Sequence, residues 1–281
     1  MPSILVAGAT GYLGRHIVQE AAARGWDVTA LVRGDKKVEG ATNVVAVDVT
    51  NPSTLAGVAD GHDFVFSALG ITRQTDDVTY EDIEYTANTH LFDEAVRAGV
   101  ARFGVVSVVR PDVFQDLAIC TSRERFVRHL QSSTLPSTVV RATGFFSDLE
   151  DVFDMAADGR IYLVGDGETQ VNPVHGVDLA KAALDAMVSG VDEVDVGGPD
   201  VMSWNDIADL AFSALQAPPK VTRVPAWLAK GALSVVRLAH RRAYDVGSFI
   251  VRGATNDVVA PKQGTHTLAS HYEELARARA T

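Results

Sequence analysis

The stretch Gly8-Ala9-Thr10-Gly11-Tyr12-Leu13-Gly14 sets three glycines three residues apart, directly after a short apolar run and at the start of a helical pattern. Such a loop does phosphate chemistry. The first glycine permits a tight turn, the second lets the backbone approach a pyrophosphate, and the third lets the helix pack closely on the strand. The helix N-terminus then points N–H donors and the positive end of its dipole at the anion. About twenty residues further on, Arg33 is followed by Lys36 and Lys37. A guanidinium suits a phosphate through paired N–H donors. Asp35, in the same loop, would suit ribose hydroxyls instead. No His/Cys/Asp/Glu cluster has metal-ligand spacing, and there is no G-x-S-x-G nucleophile elbow.

These residues need a scaffold, and the first half of the chain alternates two kinds of segment. Residues 4–7, 28–32, 44–47, 64–68, 104–109 and 138–140 are short β-branched runs, apolar throughout. That is the pattern of strands covered on both faces. Between them lie helical patterns at 12–24, at 79–98 with Gly99 as a stop, and at 121–131 with Phe126, Val127 and Leu130 on one face. The alternation predicts an α/β fold, a doubly wound parallel Rossmann sheet with right-handed crossovers. After residue 144 the rhythm loosens. A helix over 145–157, a turn at Gly165-Asp166-Gly167, a helix over 178–187 and a short strand over 193–198 follow. Ser203 then caps a helix running to about Leu215, with Asp206 as its capping-box partner. We expect residues 1–150 to form the nucleotide-binding domain, its sheet completed by later segments. Residues 151–281 form a smaller C-terminal α/β lobe that is not a separate folding unit. That lobe is expected to cover the crevice at the carboxyl ends of the strands, where ligands bind in such folds.

The G-x-x-G-x-x-G spacing resembles the short-chain dehydrogenase/reductase superfamily, in particular its extended and atypical branches. Further segments carry the resemblance: Arg33 ending the second strand, Asp48 the third, Ser67-Ala68-Leu69-Gly70 the fourth, Asn88 in the long helix, and Val106-Ser107 ending the fifth. Residues 139–146 and 172–180 are similar to segments of the NmrA-like atypical group. The resemblance spans roughly residues 3–215. It implies an NAD(P) site built from Gly8, Thr10, Gly11, Tyr12, Leu13 and Gly14, with Asp48 and Val49 flanking the adenine and Ala68, Leu69 and Gly70 along a ribose. Arg33 in place of the usual acid favours NADP(H) over NAD(H).

Typical superfamily members carry Tyr-x-x-x-Lys after the fifth strand, where the Lys charge lowers the Tyr pKa for proton exchange with substrate. The matching stretch here is Ile119-Cys120-Thr121-Ser122-Arg123. Ile119 transfers no proton, and Arg123 keeps the charge without being a proton donor near neutrality. Ser107 matches the family's catalytic serine; the alternative is a strand-end serine bonded to backbone. Cys120 reads as a buried thiol, His175 as a loop or cleft-mouth residue near Asp178, and Tyr80, Tyr85 and Tyr162 as alternative phenols. Three functions are consistent with this. First comes hydride transfer from NADPH to a quinone or an activated carbonyl or alkene. The second is a non-catalytic redox sensor or assembly subunit. The third is a sugar-nucleotide-type epimerase, which relies on the same missing Tyr.

The whole chain of 281 residues carries a net charge of −11, which disfavours nucleic-acid binding. The charge is uneven: residues 1–225 hold 17 basic and 32 acidic groups, whereas residues 226–252 hold five basic groups against Asp245. Within 226–241, Lys230, Ser234, Arg237 and Arg241 fall on one helical face, and Leu228, Ala232, Val235 and Ala239 on the other, with Trp227 and Leu238 at its margins. The expectation is a surface helix with its basic face outward, open to peripheral contact with an anionic membrane or an acidic partner. Cys120 is the one cysteine, so no intrachain disulfide forms. No basic leader or bilayer-spanning apolar stretch is present, and the expected location is cytoplasmic.

Overall fold

A computed structural model describes residues 1–71, 78–239 and 241–280, and the side chains of 238, 239, 241 and 242 are outside that description. The chain begins β1 (Ser3–Ala7), α1 (Tyr12–Ala23), β2 (Asp27–Val32), β3 (Asn43–Ala46) and β4 (Phe64–Ser67). A π-helical stretch, Glu81–Ala87, runs directly into α2 (Asn88–Ala98), and β5 (Arg102–Val108) follows. Next come α3 (Pro111–Phe114), α4 (Ala118–Gln131), β6 (Ser137–Ala142), α5 (Glu150–Ala157), β7 (Ile161–Val164) and β8 (Gln170–Val171). The rest is α6 (Gly176–Ser189), β9 (Glu193–Val196), β10 (Met202–Ser203), α7 (Trp204–Ala214), β11 (Val221–Val224), α8 (Ala226–Ala239), α9 (Arg241–Thr255) and α10 (Leu268–Ala280).

Seven strands form one sheet in the order β3-β2-β1-β4-β5-β6-β9. The sheet is parallel, with Leu5 of β1 opposite both Thr29 of β2 and Val65 of β4. This is the doubly wound order, and the winding reverses between β1 and β4. The expected fold class is therefore present. Its strands are apolar on both sides because helices cover both faces, with β1 and β2 buried almost throughout. The third run departs from that expectation. Every residue of β3 is exposed, Val44 and Val45 included, because β3 is the sheet edge. On α1, Leu13, Gly14, Ile17, Val18 and Ala21 make the buried stripe. Gly99 closes α2 in the left-handed conformation, at φ 69°. In the core the Phe92 ring meets Phe103 edge-on at 5.2 Å and Phe126 at 6.2 Å.

Two compact units interleave along the sequence. The first comprises 1–108, 118–141 and 179–194, and the second 109–117, 142–178 and 195–281. The second unit is the smaller α/β lobe. Its strands β7 and β11 pair in parallel and β8 and β10 antiparallel. The runs at 161–164 and 221–224 had no strand reading in the sequence, because each is too short and isolated to show a period. The capping box at the start of α7 forms as expected: the Asp206 N–H donates to the Ser203 hydroxyl at 3.1 Å, and the Ser203 N–H donates to Asp206 at 2.8 Å. Asn172, fully buried, holds three backbone groups in this unit. Its amide donates to Gly198 and Ala260 carbonyls, and its oxygen accepts from the Ala260 N–H.

Helix α8 corrects the sequence expectation. The stripe predicted to face the body points to solvent: Trp227 is 74% exposed, Leu228 49% and Val235 68%. The covered side instead holds Ala229, Leu233 and Val236, and Leu233 packs on Gly247 of α9. Lys230, Ser234 and Arg237 are exposed as predicted. His240 and the side chain of Arg241, the third basic residue of the predicted basic face, lie outside the described residues. Among the described residues no helix is long and apolar enough to cross a membrane.

Asn172→Ala strands three buried backbone partners, each worth about 1–3 kcal/mol when left unsatisfied. We expect a loss of about 3 kcal/mol or more in urea unfolding, with secondary structure retained by circular dichroism. A change below about 0.5 kcal/mol would contradict the role given to this amide.

Candidate functional site

The glycine loop turns from β1 into α1 with Gly8 at φ 73°, and the Gly11 N–H donates to the Gly8 carbonyl at 2.9 Å. A Cβ on Gly8 would lie 2.7 Å from the Ala68 carbonyl oxygen, so the backbone leaving β1 presses on the backbone leaving β4. A Cβ on Gly14 would lie 2.1 Å from the Gly8 carbonyl oxygen. Both glycines are therefore demanded by backbone approach, not by turn geometry alone. Gly11 is the N-cap of α1 and contributes no side chain. Thr10 and Gly11 are exposed, Tyr12 is half-buried, and Leu13 and Gly14 are buried beneath them. The arrangement leaves an open cradle at a helix N-terminus, the fit a pyrophosphate requires.

Arg33 follows β2 directly and is exposed, as are Asp35, Lys36 and Lys37. Asp48 lies beyond β3, where its carboxylate accepts the Thr50 hydroxyl at 2.6 Å and the Thr50 N–H at 3.0 Å. Those two bonds, with the nearby Arg33 charge, hold the Asp48 carboxyl below the usual range. Val49 and Leu69 both pack against an apolar cluster of Ile71, Tyr80, Ile83 and Ala87. Ile119 packs against the same cluster. The position that holds a phenol in typical superfamily members is thus an apolar contact continuous with Val49 and Leu69. Tyr80, a member of the cluster, is 8% exposed, and Cys120 is buried.

The floor beneath Leu69 and Gly70 is ionic. Arg123 pairs with Glu84, which is 1% exposed, and donates to the Leu69 carbonyl at 2.7 Å and the Val106 carbonyl at 2.6 Å. The other side of Glu84 accepts the Ile71 N–H at 2.8 Å. Burial pushes the Glu84 carboxyl above its usual value, and the guanidinium opposes that. The pair clamps the backbone after β4 from both ends and ties it to β5. Glu84 stands in the π-helical stretch, where Asn88 donates to the Ile83 and Glu84 carbonyls and accepts the buried Ser67 hydroxyl at 2.5 Å. Wide helical turns of this kind recur at functional sites.

Ser107 donates to Glu124 at 2.7 Å. Arg141 grips both oxygens of Glu124 at 2.7 and 3.0 Å and donates to Glu193 at 2.6 Å. Burial works against the Arg141 charge, yet the two carboxylates raise its hold on the proton. The sequence reading assigned no part to Glu84, Glu124 or Arg141. A buried arginine demands a carboxylate partner, so Arg123 at a covered position was the available signal. Which carboxylate answers it depends on tertiary packing. The other phenols are elsewhere: the Tyr85 ring lies under the Arg125 guanidinium at 3.5 Å, and Tyr162 is exposed in the second unit. His175, also in the second unit, stacks on His266 at 4.5 Å, and His266 bonds Asp178 at 3.0 Å. Among the described residues no group of His, Cys, Asp or Glu is placed to hold a metal.

A match to the NAD(P)H-binding family extends over residues 8–189, from the first glycine to the end of α6. The chain belongs to the NAD(P)H-binding family. Its fold is that of the atypical, NmrA-like short-chain dehydrogenase/reductases. It is 28% identical over 232 residues to the photosystem II assembly factor Ycf39 of Guillardia theta, covering 79% of this chain and 73% of that protein. It is 27% identical over 247 residues to the chloroplastic divinyl chlorophyllide a 8-vinyl-reductase of Zea mays, covering 79% of this chain and 62% of that one. Among solved structures, the NADPH-dependent quinone oxidoreductase of Escherichia coli complexed with NADPH superposes with a TM-score of 0.76. Sequence identity there is 17%, over 97% of this chain and 99% of that chain. That last likeness is one of fold.

Removing the charge of Glu84 leaves Arg123 buried without its partner, at a cost of about 3–5 kcal/mol. Glu84→Gln should lower the urea midpoint accordingly and weaken NADPH binding by releasing the backbone at residues 69–71. An unchanged midpoint would contradict the clamp. Gly14→Ala drives a methyl into the Gly8 carbonyl, and calorimetric titration should show NADPH affinity reduced at least about tenfold.

Proposed function

We propose that this protein binds NADP(H) and delivers hydride to a small organic acceptor, a quinone or an activated carbonyl or alkene, without a Tyr–Lys pair. Gly8, Thr10, Gly11, Tyr12, Leu13 and Gly14 would hold the pyrophosphate, Asp48 and Val49 the adenine, and Ala68, Leu69 and Gly70 a ribose. Arg33 would take the 2′-phosphate, and its exposed position directly after β2 supports that preference. When bound, the cofactor supplies the hydride.

The observation that carries this reading is the apolar packing of Ile119. No phenol stands at that position, and the Arg123 guanidinium is already committed to Glu84 and two carbonyls. The chain's residues there fix the backbone; they do not shuttle a proton. An acceptor that takes hydride first and a proton from solvent afterwards needs nothing more. Ser107 and Arg123 remain as the polar groups nearest the family's catalytic positions, Ser107 through its hydrogen bond to Glu124. The vinyl reductase named among the relatives is in keeping with an alkene acceptor.

A second reading is a non-catalytic NAD(P)-binding sensor or assembly subunit. It is favoured by the fact that Ser107 and Arg123 both spend their hydrogen bonds on the protein itself, and by the assembly factor among the relatives. The epimerase reading loses ground because it requires the phenol that Ile119 replaces.

NADPH oxidation against a panel of quinones and enones separates the two leading readings. Turnover on at least one acceptor is the expected result, whereas tight NADPH binding with no turnover on any acceptor favours the sensor. Arg33→Ala should weaken NADPH about tenfold or more while leaving NADH nearly unchanged. Equal or tighter binding of NADH by the unaltered protein would overturn the cofactor preference.

A further inference from the structure

The solvent side of α8 is apolar. Trp227, Leu228, Gly231, Ala232 and Val235 fall on one stripe at helical spacing, and all five are exposed. Nothing lies within 4 Å of where a Cβ on Gly231 would stand. The neighbouring helix repeats the pattern one turn apart, with Val246 37% and Ile250 58% exposed. Single exposed apolar residues are ordinary on a protein surface, but a contiguous stripe with a tryptophan at its end marks a contact surface.

The charge around the stripe identifies its occupant. Lys230 is exposed one turn from Trp227, and Arg237 is exposed on the same basic face as Lys230. Lys230 also lines, with Ser234, Tyr244 and Ser248, a cleft of about 430 Å³ between α8 and α9. An ammonium beside hydroxyls is the chemistry that receives a phosphate. Residues 226–252 carry five basic groups and one acidic, of which Arg252 is paired with Asp116, whereas the preceding 225 residues are strongly acidic. A second copy of the chain would bring two positive segments face to face. An anionic lipid surface uses both the apolar stripe and the exposed cations of the same helix. A helix of 14 residues spans about 21 Å, enough to lie along a bilayer and too short to cross it.

We propose that α8 docks this protein on anionic lipid bilayers, with Trp227, Leu228 and Val235 in the boundary between headgroups and acyl chains and Lys230 and Arg237 against the phosphates. Lipid contact scales with buried apolar area plus attraction to anionic headgroups, and the second part is screened by salt. The acidic remainder of the chain is repelled by the same surface, so docking through the 226–252 segment is the orientation that charge permits.

Flotation of the full chain with vesicles tests this, using phosphatidylglycerol–phosphatidylcholine mixtures against phosphatidylcholine alone, at low and at physiological salt. The protein should float with the anionic vesicles and do so less well as salt rises. Val235→Glu should lower the apparent affinity about tenfold or more. Lys230→Glu and Arg237→Glu should each lower it about fivefold or more. Circular dichroism and NADPH binding, unchanged in each variant, show that the fold is intact. Absence of flotation at low salt, or flotation of Val235→Glu equal to the unaltered protein, overturns the proposal. So does a dimer in sedimentation that Val235→Glu dissociates while no vesicle binding is seen, which would give the stripe to a second copy.

Discussion

Gly8 brings the end of β1 against the backbone leaving β4 so closely that no side chain fits between them. That approach occurs where the winding of the sheet reverses, and the remaining site geometry follows from it. It sets the start of α1 over the crevice that opens between diverging connections. Gly14 continues the constraint one turn on, since α1 can descend onto the strand only where its third glycine meets the Gly8 carbonyl. Two missing methyl groups, at Gly8 and Gly14, thus decide where an anion can sit. No polar side chain is needed to make the cradle, because the helix end itself supplies the donors.

The second layer of the site is ionic and sits under the first. Glu84 and Arg123 hold the backbone at residues 69–71 and join it to β5, while Glu124 and Arg141 fix the hydroxyl of Ser107. A buried ion pair adds little net stability compared with an apolar replacement. Its contribution is directional: it specifies which backbone atoms meet. Ile119, Ser107 and Arg123 each make their contacts within the protein itself. This bears on the choice between an enzyme that needs only a hydride and a protein that binds the dinucleotide for other ends.

The elements nearest the site were legible in the sequence because they are local. Strand runs at residues 4–7, 28–32 and 64–68, the glycine spacing, the Gly99 stop and the Ser203–Asp206 cap each depend on a few adjacent residues. Polar partnerships were not legible. Glu84 and Arg123 are 39 positions apart in sequence, and nothing local to either names the other. The π-helical stretch escaped for a related reason, since its carbonyls are held by Asn88, whose own fixing depends on Ser67 in another element. Helix α8 shows the limit of amphipathic reasoning. Periodicity found an apolar and a basic stripe, both of which are exposed; the covered side is a third set, Ala229, Leu233 and Val236, fixed by the fit of Leu233 on Gly247.

The interleaving of the two units has a consequence for how such a chain can change over time. Five passages of the backbone separate the six segments, so no single scission yields either unit whole. A continuous block long enough to carry either unit whole would import parts of both. New substrate chemistry in this architecture therefore has to arise by substitution and by growth of connecting segments, with shuffling of intact modules closed to it.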